Sequence, residues 1–136
     1  MINMGGMSWT APLPESPPVR MSGPEREQLE ELLDWHRTTL LRICGGLTAE
    51  QLAIRGLPPS NLSLLGLLRH LAKVERVWFR QRIGQEPIDA LYGGPGAPED
   101  FADIDAATAR AAVEALQDGM AAGAGRRARC RPRRHL

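Results

Sequence analysis

Two long amphipathic stretches determine most of what this chain can fold into. In residues 24–44, apolar residues and one histidine recur at alternating spacings of four and three, and we expect them to face inward: Leu29, Leu33, His36, Leu40 and Ile43. In residues 64–83 one side is apolar and the other basic, the apolar side being Leu64, Leu67, Leu68, Leu71, Val74, Val77 and Trp78. This spacing is typical of helices with one buried face. We therefore predict an all-α fold in which two strong helices pack antiparallel.

Short signals mark where these helices begin and end. Ser22, Thr48 and Ser63 stand where N-caps are expected, the first two with Glu or Gln three residues later. Glycines at positions 45–46 and 84 predict the helix ends. Between the two strong helices, the segment after Thr48 is long enough only for a short connector helix.

The C-terminal half of the sequence shows a weaker helical pattern of apolar residues. Residues 85–104 are rich in glycine, proline and acidic side chains, which predicts a long surface loop. Residues 105–118 predict one weak third helix, capped by Asp105 and closed by Gly119. A buried Leu or Val contributes about 1.5–3 kcal/mol, so the two strong stripes need further cover to be stable. We therefore expect an incomplete bundle over residues 22–118, after a disordered, proline-rich lead-in at residues 1–21.

Residues 119–136 differ in composition from the rest. They hold six arginines and no acid, a net charge of +6, whereas residues 1–118 hold 11 basic and 16 acidic side chains, a net of −5. This composition cannot bury a core and predicts a disordered tail. The tail is either a basic arm that neutralises nucleic-acid phosphates or the product of a shifted reading frame, because GC-rich codons give Arg, Ala, Gly and Pro in any frame. We favour the shifted frame, since the charge changes sharply after an incomplete bundle, and do not expect nucleic acid as a partner.

The compartment follows from what the sequence lacks. Cys44 and Cys130 differ too much in setting to indicate a disulfide. No stretch approaches the roughly 20 apolar residues of a membrane span, and the N-terminus has no export signal. We expect a cytoplasmic protein without a membrane partner.

Histidines are the main candidates for chemistry. His70 lies one turn from Leu67 and points into the bundle or at its edge. His36 lies eight residues before the end of its helix and His70 six or seven after the start of the next, so antiparallel packing would place the two rings at similar depth. From the residues alone, a core histidine satisfied by a neighbour is favoured over a metal ligand.

Other donors do not complete a metal site by their spacing. Catalytic zinc usually takes three protein ligands and structural zinc four, so two histidines fall short. Asp34, Glu75, Cys44 and His135 have no short spacing that singles them out. We expect the two carboxylates to be solvated or paired with neighbouring arginines.

Three segments carry a resemblance to a known family. They are Leu33-Asp34-Trp35-His36-Arg37, then Gly46-Leu47-Thr48-Ala49-Glu50-Gln51-Leu52, and then the run from Ser63 through His70 to Phe79. Together they resemble the actinobacterial branch of the DinB-like superfamily, over residues 22–105. That superfamily includes mycothiol-dependent maleylpyruvate isomerases and bacillithiol S-transferases.

The resemblance implies a four-helix bundle that holds a divalent metal through three side chains, mostly histidines. His70 matches the family's ligand on the second helix, while His36 matches a common residue that is not a ligand. The implied cofactor is zinc or nickel, and the implied function is a thiol transferase or a related enzyme. The helix with the remaining ligands is missing here, so we expect a truncated, inactive chain that either folds poorly or dimerises through its uncovered stripe. The alternative is a non-catalytic interaction protein whose arginine-rich tail binds nucleic acid.

Overall fold

The prediction of an all-α fold is confirmed. The computed structural model describes residues 8–127, and within them it contains helices and one isolated antiparallel bridge between Thr10 and Thr48, with no strand. In chain order the helices are α1 (Glu25–Cys44), α2 (Ala49–Ala53), α3 (Leu64–Glu75), which runs on as a π-helical segment (Arg76–Ile83), two 3₁₀ turns (Pro98–Asp100 and Ala106–Thr108), and α4 (Ala109–Arg127). No helix in residues 8–127 is long and apolar enough to cross a membrane.

Three of the four predicted N-caps form, and one of them is Asp105, whose carboxylate accepts the Ala107 amide at 2.9 Å at the start of the turn that leads into α4. Thr48 and Gln51 make the reciprocal capping box of α2, and the Ser63 hydroxyl accepts the Gly66 amide of α3 at 3.0 Å. The Ser22 cap is not formed, because Pro24 is the residue that precedes α1 and no side chain bonds the first turn. This start is exposed, so water can satisfy the free amides.

The core lies mainly between α3 and α4, with α1 and α2 closing one end. Its largest fully buried side chains are Leu52, Leu65, Leu68, Leu116, Val113 and Cys44. The predicted bounds of the second strong helix are confirmed, since the segment is helical from Leu64 to Ile83. Its last two turns are wider than predicted, and only Val77 of that π-helical segment is buried.

The buried face of α1 differs from the predicted stripe. The buried residues are Arg37, Thr38, Leu41 and Cys44, whereas Leu29 and Ile43 of the predicted stripe are each 59 % exposed. The helix is turned so that a charged side chain enters the core and much of the apolar stripe faces outward. A buried ion pair, described below, explains this rotation.

The predicted lead-in and tail are more ordered than expected. Ala11 is buried, its amide donates to the Leu47 carbonyl, and its carbonyl accepts the Gly46 amide, both at 2.9 Å. Helix α4 does not close at Gly119 but continues to Arg127, so residues 119–127 of the predicted disordered tail are helical. Residues 1–7 and 128–136 of those two segments lie outside the described residues.

Candidate functional site

His70 is the histidine that the fold places in a polar arrangement. It lies near the middle of α3, whose start is fixed by the Ser63 cap, and its side chain is 43 % exposed. Nδ1 lies 2.7 Å from Oδ2 of Asp100, which is within hydrogen-bond distance. The ring of Phe101 packs beside it with centroids 5.4 Å apart. One ring nitrogen is thus held by the protein while the side chain stays open to solvent.

Asp100 is a buried carboxylate that remains ionised. Its side chain is 3 % exposed, and Lys73 Nζ lies 3.0 Å from the oxygen that contacts His70. Burial by itself raises the pKa of Asp100, but the hydrogen bonds from His70 and Lys73 and the charge of Lys73 outweigh it and lower that pKa overall. The group therefore carries a negative charge at neutral pH and can only accept hydrogen bonds.

The second predicted histidine is elsewhere. His36 is exposed and stacks edge-on against Trp35, with ring centroids 4.9 Å apart. Because Arg37 of α1 pairs with Glu75 of α3, His36 is level with about residue 76, roughly 9 Å along the helix from His70. The two rings are not at the same depth, and the prediction that they would be is wrong.

The other candidate ligands are used for packing or lie outside the described residues. Arg37 binds Glu75 through two bonds of 2.5 and 2.6 Å in the core and also contacts the half-exposed Asp34. Both carboxylates are thus paired with an arginine, as one of the two alternatives predicted, but the partner of Glu75 is Arg37 of α1 and not the neighbouring Arg76. Cys44 is fully buried, and burial raises the pKa of its thiol to about 11. His135 and Cys130 lie outside residues 8–127.

Sequence reasoning missed Asp100 and Lys73. Asp100 belonged to an acidic segment that reads as a solvated loop, and Lys73 to the basic face of a helix. The sequence did contain one signal, the opposite charges of two segments. The basic face of α3 precedes an acidic loop that is long enough to fold back onto it. Arg69, Lys73 and Arg76 all donate to carbonyls of that loop.

An open apolar cavity of about 370 Å³ lies at the α2–α3 connection. Its apolar lining is Ile54, Leu57, Leu62, Leu64 and Leu67. Leu67 precedes His70 by three residues on α3, so the cavity begins about one helical turn from the imidazole.

Among residues 8–127, His70 is the one side chain that is oriented as a metal ligand. Metal-binding histidines commonly give their second ring nitrogen to a carboxylate, as His70 does to Asp100. Within residues 8–127, however, no three His, Cys, Asp or Glu side chains are grouped closely enough to hold a metal ion. The described residues thus offer one oriented ligand, and further donors would have to come from elsewhere.

Comparison with known proteins identifies a family for this chain. A protein-family model described as mycothiol-S-transferase matches residues 28–131. The match is longer than the resemblance seen in the sequence and extends into the arginine-rich segment. Searches of curated proteins and of solved structures found no match.

Proposed function

The chain belongs to the mycothiol S-transferase family, and on this basis we propose that His70 is a ligand of a thiol transferase's metal site, the one such position that residues 8–127 provide. The observation that carries the proposal is the contact of His70 Nδ1 with the buried Asp100 at 2.7 Å. Because the His70 side chain is also 43 % exposed, its second ring nitrogen can reach a ligand, which that of a fully buried core histidine could not.

Three neighbouring residues fix the orientation of the His70 imidazole. Oδ2 of Asp100 lies 2.7 Å from Nδ1, Lys73 balances the charge of that carboxylate, and Phe101 covers one side of the ring. Nε2 has no hydrogen-bond partner among residues 8–127 and is free to bind a metal ion such as zinc or nickel. In thiol transfer, a bound divalent metal would lower the pKa of the thiol.

A single imidazole predicts weak metal binding. Tight sites use three or four protein ligands, and the described residues supply one. We therefore propose that this chain by itself binds zinc or nickel weakly through His70 and does not turn over a thiol substrate. Additional donors from a second copy would strengthen binding.

The test is metal titration of the purified chain, with two matched histidine variants. His70→Ala should abolish the weak binding of Zn²⁺ or Ni²⁺, whereas His36→Ala should leave it unchanged because His36 lies apart from the site. Consumption of mycothiol with a small alkylating electrophile should stay at the uncatalysed rate. Tight stoichiometric metal together with turnover would show that the chain holds a complete site, and equal binding by both variants would show that His70 is not a ligand.

A further inference from the structure

The geometry points to Asp100 as the positioning residue of this site: we propose that its buried carboxylate holds the His70 ring in the tautomer that carries hydrogen on Nδ1 and leaves Nε2 as the acceptor. The contact joins α3 to the loop of residues 85–104, which is far away in sequence. Asp100 ends the 3₁₀ turn Pro98–Asp100, so its backbone is fixed as well as its side chain. The inference adds to the proposed function a residue that acts through His70.

The loop is tied to α3 on both sides of Asp100. Before it, Lys73 Nζ donates to the Ala97 carbonyl at 2.7 Å, and Arg69 Nη2 donates to the Glu99 carbonyl at 2.5 Å. After it, Arg69 Nη1 donates to the Ala102 carbonyl at 3.1 Å. These bonds come from residues one turn apart on the helix that also carries His70, so helix and carboxylate keep one relative position. The loop therefore fixes the position of Asp100 relative to His70, besides connecting two helices.

The partners of one carboxylate oxygen decide the tautomer. Oδ2 of Asp100 lies 3.0 Å from Nζ of Lys73, and because an ammonium can only donate hydrogen bonds, Oδ2 is an acceptor. The hydrogen in the 2.7 Å contact between the same oxygen and His70 then belongs to Nδ1. In a neutral imidazole the other nitrogen, Nε2, then holds the lone pair. A lone pair is what a metal ion or an acidic thiol hydrogen needs.

The neighbouring ring limits the orientation of the imidazole further. Phe101 follows Asp100 directly, its ring lies 5.4 Å from that of His70 with planes inclined by 31°, and it rests against Gly66, where a Cβ would lie 2.8 Å from Phe101 Cδ1. Gly66 and His70 are four residues apart and share a face of α3. The same segment thus holds the imidazole by a hydrogen bond at its edge and by an aromatic contact at its side.

The experiment compares Asp100→Asn with Glu99→Gln in the full chain. Glu99 is the exposed acid of the same turn, so Glu99→Gln removes the same charge without touching His70. The ¹⁵N shifts of the imidazole nitrogens, measured by long-range proton–nitrogen NMR without metal, report the tautomer directly. We expect the Nδ1–H form in the wild type and in Glu99→Gln, and a weaker preference for it in Asp100→Asn, where the oxygen that accepts from Nδ1 has lost its negative charge.

Zn²⁺ affinity is the second readout. Loss of an outer-sphere carboxylate typically weakens metal binding about 10–100-fold, so Asp100→Asn should bind Zn²⁺ weaker by that factor while Glu99→Gln binds as the wild type. An Nε2–H tautomer in the wild type, or an unchanged tautomer ratio in a folded Asp100→Asn, overturns the inference, and the wild-type spectrum decides it even if the variant fails to fold. If the tautomers behave as expected but the wild type binds no Zn²⁺, the proposed metal function fails and the role of Asp100 stands.

Discussion

The buried ion pair between Arg37 and Glu75 is the most consequential contact of individual residues outside the site. Both side chains are less than a tenth exposed, and the Arg37 guanidinium also lies 4.6 Å from the centre of the Phe79 ring. Placing two charges in a core is costly, and such a pair contributes little to stability over an apolar pair of equal volume. Removing one partner, in contrast, leaves an uncompensated charge in a place that water does not reach.

We therefore expect Glu75→Gln to lower the free energy of unfolding by about 3–5 kcal/mol. The matched control is Glu114→Gln on α4, which removes the exposed pair with Arg110 and should cost less than about 1 kcal/mol. Urea unfolding followed by circular dichroism measures both. Equal losses would show that the Arg37–Glu75 pair is not protected from solvent.

Cys44 should be unreactive in the folded chain. Its side chain is fully buried, and burial raises the pKa of the thiol from 9.0 to about 11, so the neutral thiol is favoured. At pH 8 only about one thiol in a thousand would be ionised, and the thiolate is the form that attacks. Labelling with a disulfide reagent should be slow at pH 8, should accelerate as the pH rises toward 11, and should become fast in urea. A Cys44→Ser variant gives the signal of Cys130 to subtract, and rapid labelling of Cys44 at pH 8 would contradict the burial.

At the scale of elements, two glycines explain why α4 packs so closely on α3. A Cβ at Gly119 would lie 2.9 Å from the Cβ of Glu75, and one at Gly123 would lie 3.2 Å from Nη2 of Arg37. Sequence reasoning interpreted Gly119 as a helix end, because glycine commonly closes helices. Here the missing side chain makes room for the ion pair, and the helix continues.

Gly119→Ala should therefore destabilise the fold, although alanine is the better helix former. Helix propensity alone would favour the change by about 1 kcal/mol, while overpacking a close contact typically costs about 1–3 kcal/mol. The control is Ala111→Gly at an exposed position of the same helix, which should cost about 1 kcal/mol through propensity. Thermal unfolding of both variants tests this, and a Gly119→Ala protein with a higher melting temperature would refute the close packing.

The elements that depend on local signals were predictable, and the site was predictable only in part. The Thr48 and Ser63 caps and the extent of the second strong helix follow from neighbouring residues, and they are confirmed. His70 was singled out because it matches a family position on that helix. Asp100 was not, because its burial depends on a loop folding back over α3, which no local pattern of alternating or periodic residues encodes. The rotation of α1 was missed for the same reason, since Arg37 enters the core only when Glu75 is there to receive it.

For the molecule as a whole, the outward stripe of α1 is the feature still to be accounted for. Leu29, Leu32 and Ile43 are 59, 44 and 59 % exposed, and no element of residues 8–127 covers them. Leu29 and Leu32 are neighbours on this face, Ile43 follows about three turns later, and exposed apolar patches usually mark an interface. The acidic residues of the same helix limit non-specific association, so a defined partner surface is needed. A second copy of the chain offers the same stripe, as a two-fold symmetric interface requires.

We accordingly expect the protein to dimerise through α1, and the double variant Leu29→Gln/Leu32→Gln to weaken the dimer. A leucine removed from water contributes about 1.5–3 kcal/mol, so even partial loss at both copies should raise the dissociation constant at least about tenfold. Sedimentation velocity over a range of concentrations measures this. Leu57→Gln is the control, because Leu57 is 67 % exposed but lies on the α2–α3 connection. A wild type that remains monomeric at every concentration would contradict the dimer. A Leu57→Gln variant that loses the dimer equally would place the interface elsewhere. A dimer lost only in the double variant would show that the outward rotation of α1 serves association.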